Sequence, residues 1–182
     1  MLNAESLSQD FSAHVERCPS GIFACSVRAA FEAWFQVELA FMLSSSGRFE
    51  SVETGYDYPD GGKGDLQAKD QHGLIVFELK CFVCGADANK KRTWPGQLAR
   101  LSRVVEEEEQ AASQGVAVST YFGYDDKALS RLVNGFHPPP WDRDRVGPRT
   151  LFADAPLQFV IATVIRQSKG NVDEVQRAGP IN

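Results

Sequence analysis

The spacing of apolar residues changes several times along the chain, and each change marks an expected element. Over residues 26–43 (SVRAAFEAWFQVELAFML) the spacing is helical, with Ser26 placed to cap the start and Ser44-Ser45-Ser46-Gly47 to end it. Val27, Phe31, Trp34, Phe41 and Met42 form the expected stripe, and Glu38 falls inside it. A carboxylate on a buried face needs a reason. Glu32 looks ordinary beside it, because it follows Arg28 by four residues and can pair with it on the exposed side.

The pattern then turns to strands. Residues 48–56 (RFESVETGY), 63–69 (KGDLQAK) and 73–81 (GLIVFELKC) read as three strands, with Asp57 to Gly62 (DYPDGG) as the first connection and Asp70-Gln71-His72-Gly73 as a hairpin turn. Pro95 at a first helical position predicts a helix over about residues 95–113. Residues 115–124 read as a strand, 125–133 as a short helix, and Leu157–Ile165 as a nearly all-apolar strand covered on both faces. Between these, residues 134–150 (NGFHPPPWDRDRVGPRT) read as a long Pro/Arg-rich loop, in which Trp141, Arg143, Arg145 and Arg149 could clamp a nucleic acid or Trp141 could plug the surface. The tail over residues 167–182 reads as frayed.

The hairpin carries the candidate chemistry. A two- or four-residue turn centred between Gln71 and His72 sets Lys69 opposite Leu74 and, in the same register, Asp65 opposite Glu78. Opposed residues have Cβ atoms about 4.5–5.5 Å apart, so both carboxylates reach one cation, and without a cation the pair is costly. Lys80 shares the face of Glu78, while Ile75, Phe77, Leu79 and Cys81 point the other way.

Composition narrows the class. With 182 residues, 43% of them hydrophobic, the chain can bury one core and is expected to be a single domain over 1–182. It contains no apolar run long enough for a bilayer, and its first residues lack a signal peptide's basic start and apolar stretch, so no membrane contact and a cytoplasmic location are expected. Four cysteines agree with a reducing compartment, and the six residues between Cys18 and Cys25 do not match zinc spacing, so Cys18, Cys25, Cys81 and Cys84 read as small buried residues. His14, His72 and His137 have no neighbours that suggest zinc or nucleophilic chemistry. A formal net charge of −5 argues against a protein that coats bulk DNA, yet Lys90, Lys91, Arg92, Arg100 and Arg103 gather after the hairpin as a local basic patch suited to a phosphate backbone.

With Glu38 on the first helix, Asp65 on the second strand and Glu78-Leu79-Lys80 on the third, the element order resembles the PD-(D/E)XK nuclease superfamily, the restriction-endonuclease-like fold, over about residues 26–165. The resemblance implies an α/β fold with a restriction-endonuclease-like core: a central mixed sheet of about five strands in αβββαβ order, flanked by helices. It implies a magnesium-dependent endonuclease, with manganese as substitute, that hydrolyses nucleic acid and by the family's habit DNA, in the manner of a bacterial defence or toxin enzyme. Asp65, Glu78, Glu38 and the Leu79 carbonyl would hold the metal. Lys80 would orient the attacking water and stabilise charge, with Gln97 beside it, and Lys90, Lys91, Arg92 and Arg100 would bind the nucleic acid. Gly64 stands where the family's name has proline. Protein partners in keeping with this are a second copy, as a homodimer, or a neutralising protein. The alternative is a catalytically silent module of the same fold that serves binding or assembly.

Overall fold

The structure, a computed structural model, describes residues 2–17, 31–106, 112–136, 141, 143–150 and 157–165. Its elements are α1 (Ala4–Val15), α2 (Phe31–Ser45), β1 (Ser51–Asp57), β2 (Lys63–Asp70), β3 (Gly73–Val83), α3 (Ala88–Glu106), β4 (Gln114–Phe122), α4 (Asp126–Phe136), β5 (Asp144–Thr150) and β6 (Leu157–Ile165). The strands form one six-stranded mixed sheet in the order β1-β2-β3-β4-β6-β5, in which β3 and β4 are parallel and the other neighbours antiparallel. A parallel pair requires a crossover, and α3 supplies it. The chain is therefore α/β, with four helices among the described residues.

Two apolar layers cover the sheet. On one face Leu66, Phe77, Leu79, Val118 and Phe159 pack with Phe11 of α1 and with Phe31, Phe35 and Leu39 of α2. On the other, Val76, Phe82, Ala117 and Val160 pack with Trp94, Leu98 and Leu101 of α3 and Leu129 and Val133 of α4. Every residue of β4 is buried, as in a strand covered on both sides. Gly115 of β4 shows how close that packing is: a Cβ there would lie 2.9 Å from Leu101 Cγ and 3.0 Å from Val164 Cγ1. Both neighbours are core side chains without room to retreat, so Gly115→Ala is expected to destabilise by about 1–3 kcal/mol, read as a lower urea midpoint at unchanged slope.

The structure corrects several expectations. The expected sheet of about five strands has six, because Asp144–Thr150, expected as part of a loop over 134–150, pairs with β6 as an edge strand. An edge strand tolerates Pro148, whose missing N–H breaks no inner ladder. Asn134 to Phe136 belong to α4. Trp141 is the plug of the two expected alternatives: it is 2% exposed and donates from Nε1 to Ser102 Oγ at 2.8 Å. Arg149 is bound to Glu5, at 2.8 and 2.9 Å, rather than held out as a clamp.

Helix α3 starts at Ala88, with Pro95 inside it rather than at its start. An interior proline costs about 3 kcal/mol. Burial of Trp94, Leu98, Leu101, Val104 and Val105, each worth about 1.5–3 kcal/mol, outweighs that. Helix α1 was not expected at all, although Asn3 caps it by accepting from Ser6 N at 2.7 Å and Leu7, Phe11 and Val15 recur every fourth residue. The expected start of α2 at Ser26, with Cys18, Cys25, Arg28 and the 167–182 tail, lies outside the described residues.

Candidate active site

The site begins where the β2–β3 ladder stops. Pairing runs from Asp70↔Gly73, through Lys69↔Leu74 in the expected register, to Leu66↔Phe77, whereas β2 continues beside β1 as far as Asp57↔Lys63. From Glu78 onward β3 keeps β4 as its ladder partner, and its N–H groups on the vacated side need other acceptors. Carboxylates supply them. Leu79 N–H donates to Asp65 Oδ2 at 2.7 Å, and Cys81 N–H donates to Glu32 Oε2 at 3.1 Å. Gln36 of α2 donates to the backbone carbonyl of Asp65 and fixes the other end of that residue.

Asp65 and Glu78 are the next positions beyond the last ladder pair, and their carboxyl groups come close enough to influence each other's ionisation. Two carboxyl groups buried side by side oppose each other's ionisation. Burial raises both above the usual carboxylate range, and it carries Glu78, 1% exposed and facing the Asp65 charge, up to about 8. Glu78 is thus the group that holds the proton. Tyr58, on the connection between β1 and β2, donates its hydroxyl to Glu78 Oε1 at 2.7 Å, and Gln97 Nε2 of α3 approaches Oε2 at 3.4 Å. Burial and the neighbouring Glu78 charge push the Tyr58 hydroxyl far above its ordinary range, so it remains a donor.

Lys80 is held from the first described turn of α2. Its Nζ lies 3.5 Å from Glu32 Oε1, and Lys90 Nζ takes Glu32 Oε2 at 2.7 Å. Burial alone would raise Glu32, but the Lys90 hydrogen bond, the Lys80 charge and the Cys81 N–H together hold it below the usual range, as an anion. The expectation placed Glu38 here. Instead Glu38 Oε2 lies 2.8 Å from His14 Nε2 of α1. The buried stripe of α2 is Phe31, Phe35, Leu39, Met42 and Leu43. At about 100° per residue, Glu32 falls at one edge of that stripe beside Leu43 with Gln36 just past it, and Glu38 lies just past the other edge.

Sequence reasoning therefore found Asp65, Glu78, Lys80 and Gln97 as neighbours and missed Glu32, Gln36 and Tyr58. Centring the stripe on Phe31, Phe35 and Leu39 would have exposed the Glu32/Gln36 flank. Nothing in the local pattern marks Tyr58.

The expected basic patch is largely internally paired. Lys90 binds Glu32, Lys91 binds Asp87 at 2.9 Å, and Arg92 donates to Asn89 at 3.2 Å. Arg100 lies over the Tyr58 ring, 5.3 Å from its centre, with Nε 3.4 Å from Asp60. Of the two described cysteines, Cys81 is buried as expected and Cys84 is exposed.

A metal is tested by its donors. Among the described residues no group of three or more His, Cys, Asp and Glu side chains is arranged to hold an ion. Magnesium asks for less, because one or two carboxylates with waters and a substrate phosphate usually suffice. Asp65 and Glu78 are such a pair, and burial, only partly offset by the Lys80 charge, opposes their ionisation. The carbonyl of Leu79 faces the same gap as its N–H, as in any strand. The donor set fits.

The chain matches no protein-family model, no curated protein and no solved structure. No helix among the described residues is long and apolar enough to cross a membrane.

Proposed function

We propose that this chain is a magnesium-dependent nuclease of restriction-endonuclease-like type, with DNA as its substrate. The observation that carries the reading is the juxtaposition of the buried Asp65 and Glu78 carboxyls at the opening of a ladder, within a few residues of Lys80. Asp65 and Glu78, with the Leu79 carbonyl, would hold the ion. A bound Mg2+ supplies a water of lowered pKa and offsets charge on a phosphate oxygen. Lys80, positioned by the Glu32 anion, would orient an attacking water and stabilise charge building on the phosphate. Gln97 and Tyr58 fix the Glu78 carboxylate.

The test is incubation of the purified protein with plasmid, single-stranded DNA and RNA, with Mg2+ or Mn2+. Cleavage is expected with either ion, abolished by a chelator and by Asp65→Ala. If no substrate is cut and neither ion raises Tm, the chain is a silent module of this fold. Equal cleavage by wild type and Asp65→Ala would place the chemistry elsewhere.

A further inference from the structure

Tyr58 is nearly buried, 4% exposed, and three independent constraints converge on it. Its hydroxyl donates to Glu78 Oε1 at 2.7 Å. Arg100 lies against its ring, and the same arginine with Arg103, 2.7 Å from Asp60 Oδ2, ties the Tyr58-to-Gly62 connection to α3. Gly64, next to the metal-site Asp65, leaves the ring its space: a Cβ there would lie 3.3 Å from Tyr58 Cε2 and 3.4 Å from its Oη. Gly64 is in none of the backbone conformations that demand glycine, so what a side chain there would meet is the Tyr58 ring together with Tyr56 Cβ, also at 3.4 Å.

We infer that Tyr58 is the positioning residue of the divalent-cation site, aiming the Glu78 carboxylate into the β2–β3 gap, and that Gly64 is there to admit it. The inference deepens the nuclease reading and rests on its assignment of Glu78 as a ligand. A carboxylate free to rotate binds an ion less well than one held by a donor, and loss of such a supporting hydrogen bond typically costs about 10–100-fold in affinity.

The experiment titrates metal-free protein with Mn2+, reading the free ion by electron paramagnetic resonance, beside Tyr58→Phe, Gly64→Ala and the double variant. Tyr58→Phe keeps the ring and its packing and removes only the donor, so it is expected to weaken Mn2+ binding about tenfold while Tm changes little. Gly64→Ala displaces the ring and should weaken binding to a similar degree. The double variant should be no weaker than Tyr58→Phe alone, since the hydroxyl that Gly64 protects is already gone.

Wild-type affinity in Tyr58→Phe, or losses that simply multiply in the double variant, would overturn the inference. Should Gly64→Ala fail to fold, the Tyr58→Phe comparison decides alone. A wild type that binds Mn2+ and cuts nothing, with Tyr58→Phe tenfold weaker, keeps the inference and removes the nuclease reading. Cleavage with unchanged binding in Tyr58→Phe does the reverse.

Discussion

In the absence of divalent cations the protein is expected to lose stability as pH rises from about 4.5 to about 8, and Glu78→Gln to remove most of that loss. Glu78 keeps its proton up to about 8 in the fold, against an ordinary 4.5, because burial and the Asp65 charge oppose ionisation. Between those values the folded chain binds a proton that the unfolded chain has released, so raising the pH favours unfolding. Asp65 is displaced in the same direction. Glu32, held below the usual range, acts oppositely, but only in acid below its ordinary pKa, where stability is lost as pH falls.

One pKa unit is worth about 1.4 kcal/mol, so the neutral-range loss is on the order of 3–5 kcal/mol, or roughly 10 °C in Tm for a chain of this size. Mg2+ or Mn2+, supplying a further counter-charge, should restore stability most at pH 8 and least at pH 5. Thermal unfolding across this range with a chelator or either ion reads all of it. A flat chelated profile for the wild type would mean that the carboxyl pair is not coupled as the geometry has it.

That coupling also bears on what was legible in the chain. The hairpin register followed from the two residues between Asp70 and Gly73 and from the apolar alternation of β3, both local properties, so the Asp65–Glu78 pair could be read directly. The opening of the ladder beyond Leu66↔Phe77 could not, because it depends on which strand β2 continues to follow. Glu32 illustrates the same limit. Its four-residue spacing from Arg28 suggested a surface pair, whereas a Cys81 N–H left without a strand partner and two lysines draw it to the sheet. Glu38 drew notice for lying among apolar residues of α2, and the partner that accounts for it, His14, is on a helix that had not been expected. β5 was hidden by Pro148, which reads as a breaker until β6 is there to pair with it. Apart from α1, whose Asn3 cap and apolar spacing are themselves local, the elements fixed by residues close in sequence were legible; contacts set by a distant partner were not.

The same contrast yields the sharpest test of the site. On the proposed nuclease reading, Lys80→Met is expected to lower kcat by about two to three orders of magnitude, the usual cost of removing a group that stabilises transition-state charge, with KM little changed. Glu32→Gln should fall between Lys80→Met and wild type. It keeps the size of the side chain but removes the charge that holds Lys80 at 3.5 Å and Lys90 at 2.7 Å, and Lys80 then loses its direction. Glu38→Gln should leave kcat within a factor of a few of wild type, because its partner is His14. Its cost should appear instead as a lower Tm, from a weakened α1–α2 contact. Steady-state cleavage of one DNA substrate at saturating Mg2+, with Tm measured on the same preparations, separates the three. If Glu38→Gln proved as damaging to kcat as Lys80→Met while Glu32→Gln was harmless, the α2 acid of this site would be Glu38 after all, and α2 would have to present its other flank to β3 in the active form.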